Sequence, residues 1–514
     1  MSLQMSLNAC AFQSEGTVVH LSAASSDLRQ RLGADICLVI DVSGSMQLPA
    51  TVKDREGAEL SILDVVVHSC RAVIQTLTES DRIGIVTYSD RAQTVLPLTL
   101  MDGIGKSEAE EGLSKLRADG QTNLWDGLHT GLEMLRSGER SGSMASVLLL
   151  TDGVPNVEPA GGHLAALEDY RRTGGGKLPC ALHTFGFGYE LDSHLLDDLA
   201  CMGGGLYVFI PDAGFVGTAL VNCSANAVTA AGHNAELVLH LEGTVHLEHC
   251  FGYPVQQEAD GVCRIHLGSI QLGQTKDVVL RVAGPSTGKL LRVELSYDGP
   301  DEFGHAEAEV WASEMPVSAE CRIQCCRLQL VEVLSGLLQS EHAEASGASA
   351  FLEELRHIQG EVEDDRLAGI VDDVSGQVAE AVSRQDWYES WGKHYLRSLS
   401  RAHLAQLCNN FKDPGVQPYG GDLFREVRDA ADDIFLTIPA PNPAAFDNVE
   451  ALKALGFEEA EVRRALDYAY NDVSTAATFL MEGFPVHRPP PAHGAGSPSP
   501  TAVDMSVYYD ASGG

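Results

Sequence analysis

Nothing in this sequence approaches the roughly twenty consecutive apolar residues that a bilayer-spanning helix needs. The opening MSLQMSLNACAFQSEG has neither a basic start nor an apolar core of signal-peptide length. The chain is therefore expected inside the cell, in the cytoplasm and with access to the nucleus, and not secreted. Basic residues are scarce: 35 Lys and Arg stand against 72 Asp and Glu, a net charge of −37. Such a surface repels phosphate backbones and anionic lipid, so neither nucleic acid nor membrane is an expected partner. The 12 cysteines are scattered, with no CxxC pair and no Cys/His set that would build a RING finger. Cys321, Cys325 and Cys326 fall on a predicted helix and read as core packing, with all thiols reduced. Catalytic signatures are missing as well: there is no HExxH pair and no GxSxG elbow. The segment Gly284 to Leu290, GPSTGKL, resembles a phosphate loop, but it is one residue short and Leu290 stands where Ser or Thr is needed. It also joins two β-like segments, so a turn is expected there and no enzymatic activity is assigned.

What remains is ordinary globular composition, 44% hydrophobic and 21% charged, over a length that implies about three domains. Ile36 to Ile40 is an unbroken apolar run, as expected of a strand buried on both faces of a sheet. Ile62, Leu63, Val66, Val67, Cys70, Val73, Ile74 and Leu77 then recur at helical spacing. Strands at RIGIVTYS, QTVLPL, SVLLLTDG, ALHTFGFG and GLYVFI alternate with helices near Leu124–Leu135, Leu164–Arg172 and Leu195–Met202. That alternation predicts a doubly wound, mostly parallel α/β domain over 34–231. From there to 317, short alternating runs between Gly, Asp and Pro turns predict a small β-sandwich of about six strands. GTVVHLSA, within the N-terminal segment 1–33, is expected to lend that sandwich a strand. A helical domain follows over 318–437, then the Pro-containing linker 438–446, a three-helix bundle over 447–485 and a tail over 486–514 that is expected to be disordered.

The first strand ends in Asp41-Val42-Ser43-Gly44-Ser45, at the carboxyl edge where open α/β sheets carry their ligands. Two hydroxyls and a carboxylate suit a hard, oxygen-seeking cation. Thr122, before a helix, offers another hydroxyl, and Asp152 after the strand SVLLLT reaches the same edge. In order, these residues resemble the metal-ion-dependent adhesion site of von Willebrand factor A (VWA) domains. The resemblance implies that Ser43, Ser45 and Thr122 contact Mg²⁺ (or Mn²⁺ or Ca²⁺) through hydroxyls, with Asp41 and Asp152 acting directly or through water. It also implies a protein ligand that completes the octahedron with its own Asp or Glu.

In the segment 447–485, Asp447 and Glu450 fit a capping box, and Val462, Ala465, Leu466 and Ala469 line a second helix. The Leu455-Gly456-Phe457 turn and the apolar pair Leu480-Met481 resemble a ubiquitin-associated (UBA) domain, with Leu in place of the family's Met. The resemblance implies that Leu455, Gly456, Phe457, Leu480 and Met481 form an apolar patch for ubiquitin or polyubiquitin. Between the two, WGKHYLRSLSRAH, NNFKDPGVQ and YGGDLF are similar to a helical domain of VWA proteins associated with intein-like modules. No splicing nucleophile set accompanies them here. His394, Arg397 and Arg401 fall on one helical stripe, read as a solvated or interdomain face, with His403 pointing away from it. The sum is an adaptor that binds one protein through the cation and ubiquitin through the bundle. A non-catalytic or substrate-recognition subunit of a ubiquitin ligase complex is the alternative, and a metal-dependent hydrolase a second one.

Overall fold

Residues 5–14, 16–25, 31–48, 50, 60–138, 142–300, 303–340, 342–343, 345–438, 459–468 and 479–480 are described by the structure, a computed structural model. Two N-terminal strands, β1 (Met5–Ser14) and β2 (Gly16–Ser25), form an antiparallel hairpin. The chain then enters an α/β unit with β3 (Gly33–Asp41), α1 (Ile62–Thr76), β4 (Arg82–Tyr88), β5 (Ala92–Leu100), α2 (Gly103–Ser114) and α3 (Leu124–Ser137). It continues through β6 (Ser143–Thr151), α4 (His163–Thr173), β7 (Ala181–Phe187), α5 (Ser193–Met202), β8 (Gly204–Ile210) and α6 (Ala213–Val228). The six-stranded sheet runs β5-β4-β3-β6-β7-β8, parallel except for β5. Its centre shows why β3 has no polar alternation. Ile36, Leu38 and Ile40 face α1 and α6, while Cys37 and Val39 face α3 on the other side. A capping box, Ser61 with Asp64, starts α1.

The doubly wound domain is as expected, with two helices the periodicity did not announce. The first, α2, contains Gly103, Gly105 and Gly112, poor helix formers. The second, α6, is buried on all sides, so it has no polar face to set a period. Its polar stripe turns inward instead: Asn222 Nδ2 donates to Thr218 O at 2.9 Å and Asn226 Nδ2 to Cys408 O at 2.7 Å.

The β-sandwich is larger than expected. It adds β9 (Ala230–Leu241), β10 (His246–Cys250), β11 (Gln256–Gln257), β12 (Val262–Gln271), β13 (Thr275–Ala283), β14 (Lys289–Asp298) and β15 (Phe303–Trp311). One sheet runs β1-β2-β13-β10 and the other β11-β12-β9-β14-β15, so the N-terminus contributes a whole hairpin and not one strand. The GPSTGKL segment is the turn between β13 and β14.

The helical part comprises α7 (Ala319–Gln339), α8 (Ala345–Gln359), α9 (Asp365–Asp373), α10 (Lys393–Ala405) and α11 (Asp422–Thr437), with short helical turns between α9 and α10. Cys321 and Cys326 on α7 are buried and all 12 cysteines are free thiols. The stripe on α10 is an interdomain face, made by His394, Ser398 and Arg401, whereas Arg397 is half-buried. His394 Nδ1 lies 2.7 Å from Ser193 Oγ, and Arg401 Nε donates to Asp197 Oδ1 at 2.8 Å. Ser398 satisfies the open edge of β8: its Oγ accepts from Phe209 N at 3.2 Å and donates to Tyr207 O at 3.3 Å. On the opposite side, His403 is buried beside Asp373 and Tyr419.

A second seam joins the sandwich to the helices. Arg327 is 1% exposed and donates to Gln324 Oε1, His403 O and Asp277 O at 2.6, 2.7 and 2.6 Å. Lys276, next along β13, is buried too and donates to Ala405 O. Farther on, α12 (Glu459–Tyr468) buries Val462, Ala465 and Leu466, the residues expected to line that helix. No helix among the described residues is long and apolar enough to cross a membrane.

Candidate metal centre

The centre is assembled at the carboxyl ends of β3 and β6, neighbours in the sheet. Asp41, the last residue of β3, is wholly buried, and Tyr88 at the end of β4 is its parallel partner. The chain then breaks into a loop whose first residues fold back on Asp41. Ser43 N donates to Asp41 Oδ1 at 2.8 Å, and Thr151 Oγ1 donates to Asp41 Oδ2 at 2.6 Å. From there the hydroxyls form a relay: Ser43 Oγ and Ser45 Oγ are 3.2 Å apart, and Ser45 Oγ donates to Asp152 Oδ1 at 2.7 Å. Asp41, Ser43, Ser45 and Asp152 therefore converge on one spot.

Thr122 reaches the same edge through the backbone. Gly44 N donates to Gly120 O at 3.1 Å, and Thr122 N donates to Asn156 Oδ1 at 2.8 Å while Asn156 N returns a bond to Thr122 O at 3.2 Å. These contacts tie the 120–123 loop to both carboxylate loops and leave Thr122 4% exposed. Among the described residues its hydroxyl forms no hydrogen bond with the other four. Sequence reasoning missed two supports, Thr151 and Asn156. Both lie in the Thr151-Asp152-Gly153-Val154-Pro155-Asn156 stretch, where side chains able to accept or donate locally cluster around the predicted ligand.

The electrostatics leave two carboxylates short of counter-charge. Asp152 is 7% exposed, and burial pushes its carboxyl up to about 6, against the Ser45 hydrogen bond and with help from the Asp41 charge. Burial likewise raises Asp41, opposed by bonds from Thr151 and Ser43. Among the described residues no Lys, Arg or His pairs with either carboxylate, although both sit in a medium that makes uncompensated charge costly. Among the described residues no group of three or more His, Cys, Asp or Glu is placed to hold a metal, and the donors here are two carboxylates joined by hydroxyls. An all-oxygen set with two buried, unpaired carboxylates fits a hard divalent cation and not a soft metal.

Of the residues expected to meet ubiquitin, Leu480 is half-buried, while Leu455, Gly456, Phe457 and Met481 lie outside the described residues.

Comparison with known proteins follows the same division. The von Willebrand factor type A domain model matches residues 35–218, the VWA/Hh protein intein-like (Vwaint) model 364–433, and the UBA/TS-N domain model 447–480. A solved von Willebrand factor type A structure from Catenulispora acidiphila covers 78% of this chain and 96% of its own, with TM-score 0.54 at 16% identity, which establishes a shared fold. An uncharacterised protein of Synechocystis is 23% identical over 326 residues, covering 60% of this chain and 70% of its own length. The E3 ubiquitin-protein ligase WAV3 of Arabidopsis thaliana is 24% identical over 272 residues, covering 51% of this chain but only 32% of the ligase. The chain thus carries a VWA domain, a Vwaint helical domain and a UBA domain, in that order.

Proposed function

We propose that this protein is a non-catalytic adaptor. Its VWA domain binds a protein partner through Mg²⁺ held at Asp41, Ser43, Ser45, Thr122 and Asp152, and its UBA domain binds ubiquitin. The observation that carries the first half is the hydroxyl relay joining two buried carboxylates that have no basic partner among the described residues. When bound, the cation supplies a Lewis-acidic position that a partner's Asp or Glu completes. The chain's own residues orient the site: Thr151 and Ser43 N hold Asp41, and Asn156 holds the Thr122 loop. The UBA match supports the second half. On this reading the adaptor works in the cytoplasm or nucleus.

Titration calorimetry of Mg²⁺ into the full chain tests the metal reading. Saturable binding lost in Asp41→Ala supports it, and equal binding in the variant refutes it. A ¹⁵N-ubiquitin titration with the full chain and with Phe457→Ala tests the other half. Shifts on ubiquitin's hydrophobic face that vanish in the variant support it.

The relation to an E3 ubiquitin-protein ligase favours one second reading, in which the chain recognises substrates within a ligase complex whose catalytic part lies on another chain. Co-purification with a ubiquitin-conjugating activity distinguishes it from a free-standing adaptor.

A further inference from the structure

Where the helical domain meets the VWA domain there is a second cleft, of 470 Å³, formed by residues the metal reading does not use. Its volume lies within the range of small-ligand pockets. The VWA side supplies Tyr189, Phe209 and Phe215, and the helical side supplies Trp387, Trp391 and Tyr395. The rings stand at angles to one another: Tyr189 and Phe209 have centroids 6.1 Å apart at 56°, and Trp391 and Tyr395 are 5.9 Å apart at 57°. Two of these aromatics already hold a cation from the chain itself, Lys412 Nζ lying 5.7 Å from the Phe215 centroid and Arg384 4.9 Å from that of Trp387.

Asp413, from the NNFKDPGVQ stretch, also lines this cleft. It is 4% exposed, and its carboxylate accepts from Tyr395 Oη at 3.1 Å and Asn410 Nδ2 at 2.8 Å. Both partners are neutral. The neighbouring Lys412 lies over Phe215 instead, and among the described residues Asp413 forms no ion pair. Burial, with the charge of a second acid, Asp373, pushes its carboxyl up to about 7, so it gives up its proton readily when a cation enters. Aromatic faces around a desolvated acid with no basic partner among the described residues are the chemistry that recognises an ammonium group. A neutral apolar occupant would draw nothing from that acid, and an anion would be repelled by Glu380, which also lines the cleft.

We infer that this cleft is a binding site for an alkylated ammonium, with Asp413 as counter-charge and the rings of Trp391 and Tyr395 as the cage. The head group belongs either to a lysine-type side chain of a protein or to a free quaternary amine. Lys412 competes with the ligand for the same negative field, and Ser398, which seals the β8 edge, lines the same cleft.

Trp387 and Trp391 are two of four tryptophans, so intrinsic fluorescence of the full chain reports on the cleft. Choline is titrated beside 3,3-dimethyl-1-butanol, its uncharged isostere, which needs no variant to be informative. The expected result is a saturable choline response at least about tenfold stronger in affinity than the isostere's. Trp391→Ala and Asp413→Asn should each weaken choline by about tenfold or more, and Lys412→Ala, an exposed position, should tighten it severalfold. A peptide bearing trimethyllysine then separates the sources: tighter than choline identifies a protein side chain, weaker identifies a small amine. Equal affinity for charged and uncharged isosteres overturns the inference, as does the absence of any saturable response at tens of millimolar choline.

Discussion

Asp152→Asn should move stability in opposite directions with and without divalent cation. The carboxylate is 7% exposed, accepts one hydrogen bond, from Ser45 Oγ, and has no basic partner among the described residues. A carboxyl moved from 3.8 to about 6 bears its charge near neutrality at a cost of about 3 kcal/mol. Asparagine keeps the acceptor for Ser45 and removes the charge. In chelator at pH 7 the variant is therefore expected to be more stable, by about 1–3 kcal/mol, or about 2–10 °C in the melting of a domain this size. The gain has a definite pH course. Because the folded carboxyl titrates above its unfolded value, wild type recovers stability as the pH falls from about 6 toward 3.8, so the variant's advantage shrinks over that window. Saturating Mg²⁺ inverts the order: at about a thousand times the dissociation constant wild type gains about 4.1 kcal/mol, and the variant, short of one ligand, gains little. Differential scanning calorimetry with EDTA and with Mg²⁺ at pH 7 and pH 4.5 measures all four states. A variant that is less stable than wild type in EDTA yet natively folded by circular dichroism would refute the electrostatic reasoning.

Lys276 bears its proton in the unfolded chain up to 10.5, but burial and the nearby Arg327 charge lower it to about 7 in the folded one. Folding stability should thus rise with pH between those values, and Lys276→Met should stabilise by about 1–3 kcal/mol at pH 7 and progressively less toward pH 10, by chemical denaturation. Gly268 has φ +76°, and a Cβ there would lie 2.7 Å from Gly204 O, across the contact between β12 and β8. Gly268→Ala is expected to cost at least about 2 kcal/mol and to loosen the sandwich from the VWA edge, seen as faster amide exchange in β8. Phe457→Ala should weaken ubiquitin binding by about tenfold or more while leaving Mg²⁺ affinity unchanged, measured by calorimetry. Equal ubiquitin affinity in that variant would remove the turn from the interface.

Local pattern carried the parts of this protein whose physics is local. An apolar run such as Ile36 to Ile40 is compatible with few environments, so its place at the centre of a doubly covered sheet was legible from residue types alone. The placement of Asp41 and Asp152 at one edge followed, because each ends such a run and adjacent parallel strands deliver their ends together. The turn at GPSTGKL was legible for the same reason, since its short spacing, Leu290 and the two β-like segments it joins are all local features. Other features depended on what lay far away in the chain. The helix α6 has no outward face until α1, α11 and the Cys408 stretch enclose it, so neither its period nor its buried Asn222 and Asn226 could be read beforehand. The alternation of GTVVHLSA marks an N-terminal strand, but its partner, β13, lies about 250 residues later, and no local signal encodes that pairing. Thr151 and Asn156 became supports only when two loops closed on each other. Sequence determined which residues bring oxygen donors to the sheet edge and which segments become strands. Tertiary structure decided which charges lost their water and their partners, because burial and counter-charge are properties of the packed whole.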